Sequence, residues 1–447
     1  MITRQPIITS NPQLFISHPP FSIMQTKTFS PGDKVKLRTK SKTWEGHILE
    51  SHDPEIILLK LKSGYNIGIR EGEILDATVI EKGKEIEKPE VELEKNEKLR
   101  NVAMIITGGT ISSRLDPKTG GVIPTDAEEI LNIAPELKEI CNIVKIEKPF
   151  SKWSENMEFA DWKKLAETCE KLLNDESIDG IIITHGTDFL HYTSAALSFF
   201  IQNPNKPIAL TYSQKSIDRG STDAALNLIC SARYAISDIA EIALVGHKDS
   251  SDKTCLAIPG TKVRKMHASR RDAFKAINAG PIAEVTKDNV KILKEFNARS
   301  GKKAKLDAKF DNKVALIQIY PGQDPAIIEY YQEQGYNGLI VETAGIGQMP
   351  TDKKFNWIPK MKKAIQGGMT ICAAAQTIYG RLNPNVYAPT RRVNKTGIIF
   401  LEDMLAETAF VKLGWVLGHK TWAKDKSKIK EKMLENISGE FSRDLKE

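Results

Sequence analysis

Thiol chemistry is scarce in this chain: five cysteines stand at 141, 169, 230, 255 and 372, odd in number and never as a C-x-x-C pair. Their scatter argues against a disulfide framework and a thiolate zinc site, and fits a reducing interior. Long apolar runs are missing too, none reaching the roughly 18 residues a membrane-crossing helix needs. The first 21 residues carry prolines at 6, 12, 19 and 20, which break up any apolar core of a signal peptide, so residues 1–29 read as a disordered extension. No segment forms a P-loop or another phosphate cradle, and no repeat of 20–50 residues recurs. A soluble, cytoplasmic protein without nucleotide chemistry of its own is the expectation.

What the chain does have is length and an ordinary balance. Its 447 residues, 40% hydrophobic and 27% charged, allow two to four domains around large cores. Lys plus Arg (64) exceeds Asp plus Glu (57) by 7. That small excess permits nucleic-acid contact without requiring it, because a solvated lysine-rich surface gives the same number.

Residues 30–80 hold short alternating segments, among them KVKLR at 34–38, separated by glycine turns. Period-two alternation at close spacing predicts a small β-barrel of SH3-like size. Residues 81–98 follow, with 12 of 18 charged, and read as a solvated linker. From 99 to 301 apolar strands (101–106, 142–147, 180–184, 207–212, 241–245) alternate with helical stretches (125–133, 160–174, 192–202), the pattern of a largely parallel α/β sheet. The basic stretch 300–313 reads as a surface connection. A smaller α/β domain over 302–420 follows, with strands at 314–319, 338–343 and 370–374 and an amphipathic helix over 402–417. The remainder, 421–447, is a charged helical tail.

Two turns carry the chemistry. VAMIITGGTI (102–111) and IIITHGTD (181–188) are each a buried-type strand that stops at glycine and delivers a threonine just beyond. Ligands of open α/β sheets bind at that carboxyl edge. Two hydroxyls there, with Asp188 beside Thr187, suit nucleophilic attack on a small polar substrate. The glycines, Gly109 included, let peptide N–H groups approach a ligand closely. Lys265, in GTKVRKMH (260–267), adds a cation on a later strand. A lysine partly desolvated beside a hydroxyl loses proton affinity and can act as base. Each feature has a plainer account: Thr110 as a capping residue, Asp188 as a helix N-cap, His185 as a packed turn histidine, Lys265 as one cation of a solvated strand.

Taken together and in this order, the TGGT turn, the HGTD turn and the later lysine resemble the L-asparaginase family. The resemblance implies an asparaginase-like two-domain α/β body, here preceded by the small SH3-like β-barrel. It makes Thr110 and Thr187 the paired active-site threonines, with Asp188 and Lys265 as acid–base partners. SENM (154–157) matches the family's Ser-Gln-Asp-Met loop, so Ser154 and Glu155 would hold the substrate's α-amino and α-carboxylate groups, Glu155 standing where the family has Gln. Phe189 follows Asp188 where the family continues with Thr, and 112–122 lacks the family's loop tyrosine. Hydrolysis by the chain alone is therefore expected to be weak or conditional.

GTKVRKMHASRRDAFKAIN (260–278), DAALNL (223–228), YTSAALSF (192–199), EDML (402–405) and KLGWVLG (412–418) resemble one branch, the asparaginase-like D-type subunits of archaeal glutamyl-tRNA(Gln) amidotransferases. That branch implies glutamine hydrolysis through a threonine nucleophile, Thr110 being favoured because its loop can close over substrate, with the opposite assignment open. It implies no cofactor in this chain, and ATP and magnesium on a partner, the amidotransferase's E-type subunit. The two would form a heterotetramer of two D-type and two E-type chains around a homodimer core. Glu-tRNA(Gln) would be bound mainly by the partner, and no membrane is involved. Two rivals stand beside it: a free cytoplasmic L-asparaginase or glutaminase, and a non-catalytic RNA-binding or scaffold protein.

Overall fold

The computed structural model describes residues 29–30, 32–49, 51, 55–63, 65–83, 96–115, 122–124, 130–131 and 134–443. Residues 1–28 of the N-terminal extension, most of the charged linker and most of the 125–133 helix lie outside the described residues. The described chain divides into two units.

The first unit is an antiparallel sheet of five strands, Lys34–Thr39, Thr43–Leu49, Ile56–Leu61, Asn66–Arg70 and Ile74–Glu81. The first four form a meander, and the fifth returns to pair with the first on its free side. Alternation decides which face is covered: Val35 and Leu37 are buried, whereas Lys36 and Arg38 are exposed. Together with Ile48, Leu59 and Ile69 they form the core. Buried Asp33 ties the two ends of this unit, accepting the N–H groups of Ser30 (3.0 Å) and Gly83 (3.1 Å) and the Lys82 ammonium (2.8 Å). The Lys82 bond holds its carboxyl below the usual carboxylate range.

The second unit is built on two main sheets, with two-stranded ribbons beside them. The larger has eight strands, five of them parallel in the order Asn142–Glu147, Asn101–Ile106, Gly180–Thr184, Ile208–Thr211, Ile242–His247. Three antiparallel strands, Cys255–Pro259, Ala283–Val285 and Val290–Ile292, extend it. The central strands are near-continuous apolar runs because a parallel sheet with helices on its faces buries both sides. Helix Phe159–Leu173 opens with a capping box in which Glu158 and Asp161 satisfy each other's backbone N–H. The smaller sheet runs Val314–Gln318, Gly338–Thr343, Thr370–Ala375, Ile399–Phe400, parallel and in chain order.

One segment departs from the sequence expectation, and the reason is tertiary burial. Helix Ala406–Gly418 is not amphipathic: eleven of its thirteen residues are buried. It lies between helix Leu190–Phe200 of the larger sheet and strands of the smaller one, so it has no solvent face. The 300–313 stretch is mostly exposed, as a surface connection should be, with Ala304 buried, and it is anchored at two points. Lys305–Leu306 pairs with Ile201–Gln202, and Phe310 stacks on Phe159 at 4.8 Å between ring centroids.

The charged tail forms helix Lys426–Leu434, capped by Asp425, and then folds back. Its anchor is Glu440, fully buried and 2.5 Å from the equally buried Lys412 ammonium. Lys412 also donates to the carbonyls of Met433 (3.1 Å) and Glu435 (2.5 Å), while Glu440 accepts the N–H groups of Ile437 (3.1 Å) and Ser438 (2.7 Å). Desolvation lowers the lysine's proton affinity, opposed by Glu440. Breaking such a pair leaves a buried charge without a partner. Glu440→Ala should therefore lower the unfolding free energy by about 3–5 kcal/mol in urea titrations, and the double change Lys412→Met, Glu440→Leu should recover most of it.

Candidate active site

The larger sheet reverses its direction of growth between Asn101–Ile106 and Gly180–Thr184. The first of these strands leads to Asn142–Glu147 on one side, and the second leads to Ile208–Thr211 on the other. A reversal of this kind opens a crevice at the carboxyl ends of the two strands, because their connections leave in opposite directions. Residues 107–110 and 185–188 are the segments that emerge there.

The two turns touch backbone to backbone. Gly108 and Gly109 have φ of 109° and 81°, a left-handed region that side chains disfavour. A Cβ on Gly109 would lie 2.3 Å from Gly186 Cα, and one on Gly186 would lie 2.8 Å from Ser154 Oγ. Hydrogen bonds fix this contact. The Thr107 hydroxyl donates to Thr184 O (2.8 Å), Ser113 Oγ donates to Gly109 O (2.7 Å), and Ser112 Oγ lies 2.9 Å from Thr184 Oγ1. Thr110 opens a short 3-10 turn, half-buried, at the mouth of the crevice.

The second turn brings three of the expected residues together. The Lys265 ammonium lies 2.9 Å from Thr187 Oγ1 and 2.8 Å from Asp188 Oδ1. Its side chain is 14% exposed whereas that of Asp188 is 56% exposed, so the lysine approaches from the protein side and the carboxylate from the solvent side. Ser154 is buried, and its Oγ accepts the N–H groups of Asp188 (3.0 Å) and Phe189 (3.4 Å). Ser154 thus holds the main chain just ahead of helix Leu190–Phe200, while Glu155 next to it is exposed. Phe189 is 40% exposed and meets Tyr192 edge-on.

His185 supports the turn from below. Its main-chain N–H donates to Thr211 O (3.0 Å), its Nδ1 lies 2.7 Å from Gly186 O, and its Nε2 lies 3.0 Å from Thr193 Oγ1. Gly186 O can only accept, so the imidazole proton of the neutral ring sits on Nδ1 and Nε2 accepts from the Thr193 hydroxyl, which itself accepts Trp162 Nε1–H (3.1 Å). Burial pushes His185 down to about 4, leaving the ring neutral. The ring's partners lie one and eight residues along the chain, and the packed role expected at 185 is the one His185 has. Arg264, beside Lys265, reaches Glu407 at 3.2 Å, a contact the sequence did not foreshadow. Among the described residues there is no group of three or more His, Cys, Asp or Glu able to hold a metal ion.

Three family models cover most of the chain. Residues 101–298 match "Asparaginase, N-terminal", 313–433 match "Glutaminase/Asparaginase C-terminal domain", and 29–80 match "GatD N-terminal domain". Curated relatives named as the D-type subunit of glutamyl-tRNA(Gln) amidotransferase align along nearly the whole length. The Thermococcus kodakarensis protein is 44% identical, covering 90% of this chain and 91% of its own. That of Methanothermobacter thermautotrophicus is 40% identical, covering 94% and 95%. Among solved structures, the thermostable L-asparaginase of Thermococcus kodakarensis superposes with a TM-score of 0.68 at 28% identity, covering 76% of this chain and 99% of that one. L-asparaginase I of Vibrio cholerae gives 0.66 at 26%, covering 77% and 99%.

Two outcomes test this geometry. Gly109→Ala should separate the two turns, because backbone on the facing turn cannot yield as a side chain would; a crystal structure of the variant would show the turns displaced and the Lys265–Thr187 contact longer. The neutral His185 adds pH dependence. The unfolded chain takes up this proton near 6.5 and the folded chain only near 4, so the stability is complete above 6.5 and is lost as pH falls from there to about 4. Urea titrations across that window should show a loss of about 3 kcal/mol that His185→Gln removes.

Proposed function

The chain belongs to the family of D-type glutamyl-tRNA(Gln) amidotransferase subunits, and from that membership we propose that it is the ammonia-generating glutaminase of a tRNA-dependent amidotransferase. Glutamine would bind in the crevice between the two turns. The observation that carries the reading is the contact of Lys265 with both Thr187 and Asp188 at the sheet's switch point.

In the proposed reaction a threonine oxygen bonds to the side-chain amide carbon of glutamine, and backbone N–H groups of the glycine turns take up the developing negative charge. One such donor is worth about 3–4 kcal/mol of barrier. The C–N bond then breaks, and the hydroxyl's proton, relayed through the Thr187–Lys265–Asp188 set, leaves with the nitrogen as ammonia. Water releases glutamate from the acyl-threonine. Thr110 is the proposed nucleophile, at the mouth of the crevice. The direct Lys265–Thr187 contact favours a second reading, with Thr187 attacking. Mass mapping after treatment with an electrophilic diazoketone analogue of glutamine separates them, by an adduct on residue 110 or on residue 187.

Ser154 and Glu155 are proposed to meet the substrate's α-amino and α-carboxylate groups, Gly109 its side-chain amide. The ammonia would pass to the E-type partner, carrying ATP, magnesium and Glu-tRNA(Gln), in a cytoplasmic heterotetramer built around a homodimer of this chain. No helix of the described chain is long and apolar enough to cross a membrane.

Lys265→Ala should lower glutamine-dependent formation of Gln-tRNA(Gln) by about 10²–10⁴-fold, while free ammonia restores it, because only ammonia supply is lost. Strong asparagine hydrolysis by the chain alone, unchanged by the E-type partner, would favour a free asparaginase instead.

A further inference from the structure

Behind the lysine lies a buried polar cluster that the proposed chemistry leaves unused. Arg264 and Lys265 are consecutive residues of the three-residue strand Val263–Lys265 and leave it in opposite directions, as strand geometry requires. Lys265 reaches forward to Thr187 and Asp188. Arg264 reaches back to Glu407 Oε1 at 3.2 Å. Glu407 is buried in the first turn of helix Ala406–Gly418, where the helix dipole favours a negative charge.

His191 completes the cluster. It stands on the helix that follows Asp188, is buried, and places Nε2 3.9 Å from Glu407 Oε1. Burial pushes it down to about 3, helped by the charges of Arg264 and Lys265 and opposed by that of Asp188. The ring is therefore neutral and offers Glu407 no charge. From the smaller sheet Glu342 faces the same place, its carboxyl held above the usual range by burial and by the Glu407 charge. Arg264 is thus the one cation within ion-pair distance of Glu407 among the described residues.

We propose that Glu407 is a positioning residue for Lys265: by holding Arg264 on the rear of a short strand, it fixes the direction in which the neighbouring ammonium projects. The strand has only three residues and one hairpin partner, Phe274–Ala276, so its own ladder resists rotation weakly. The ion pair supplies the missing constraint, and it comes from helix Ala406–Gly418. The inference rests on the catalytic role proposed for Lys265.

The test uses the full chain assembled with its amidotransferase partner, glutamine as substrate and ammonia release as readout, with thermal melts to confirm folding. Glu407→Ala and Arg264→Gln should each lower kcat by about tenfold or more with KM within about twofold, since a misdirected base costs the transition state and not substrate binding. Glu407→Asp should recover part of the loss. The double variant Arg264→Gln, Glu407→Gln should fall no further than the worse single change. Should Glu407→Ala fail to fold, Arg264→Gln decides, because that side chain is 26% exposed. Wild-type kcat in the folded Arg264 and Glu407 variants, with Lys265→Ala inactive, overturns the inference alone. Wild-type activity in Lys265→Ala overturns the reading beneath it.

Discussion

The contact between two glycine turns is the constraint from which the rest of this molecule follows. At the point where the larger sheet changes direction, Gly109 lies so close to Gly186 that it has no room for a single added carbon, and Gly186 is crowded in turn by Ser154. Hydrophobic strands deliver the turns, and hydrogen bonds from Thr107, Ser112 and Ser113 lock the first turn onto its own chain and onto Thr184 of the neighbouring strand. The surrounding machinery serves that junction. His185 and Thr193 brace it from beneath, Ser154 holds the N–H groups of Asp188 and Phe189, and Lys265 closes it from the side. Threonine is a poor nucleophile in water, so the attack proposed for it would depend on this preorganised, partly dry setting.

Much of the fold was readable because parallel sheets write themselves in long apolar runs. Strands 101–106, 142–147 and 180–184 coincide with their observed bounds, and helices 159–173 and 190–200 begin within two residues of expectation. The turns could be placed as well, since glycine after a buried strand has few other uses at a sheet edge. Their pairing with Lys265 came from resemblance to a family and not from pattern. Nothing local connects residues 187 and 265, and only the fold brings them to 2.9 Å.

What escaped the sequence shares one cause: charges that look solvated in a linear reading are buried by distant partners. Glu407 and Lys412 gave helix Ala406–Gly418 the look of a half-exposed element. In the structure the first meets Arg264 and the second meets Glu440. Lys262 is a third case, fully buried against Asp403 at 2.6 Å although it stands in a strongly basic stretch of the chain. Hydrophobic periodicity cannot register such pairs, because it counts every ionised side chain as surface.

All five cysteines are buried, and burial raises the thiols of Cys169 and Cys372 and pushes that of Cys141 up to about 12. A thiol that stays protonated and shielded scarcely reacts with maleimides or iodoacetamides. The native surface is consequently silent toward such reagents. One cysteine installed at a chosen exposed position would then become a unique attachment point for a fluorophore or photo-crosslinker, with no need to strip the natural ones first.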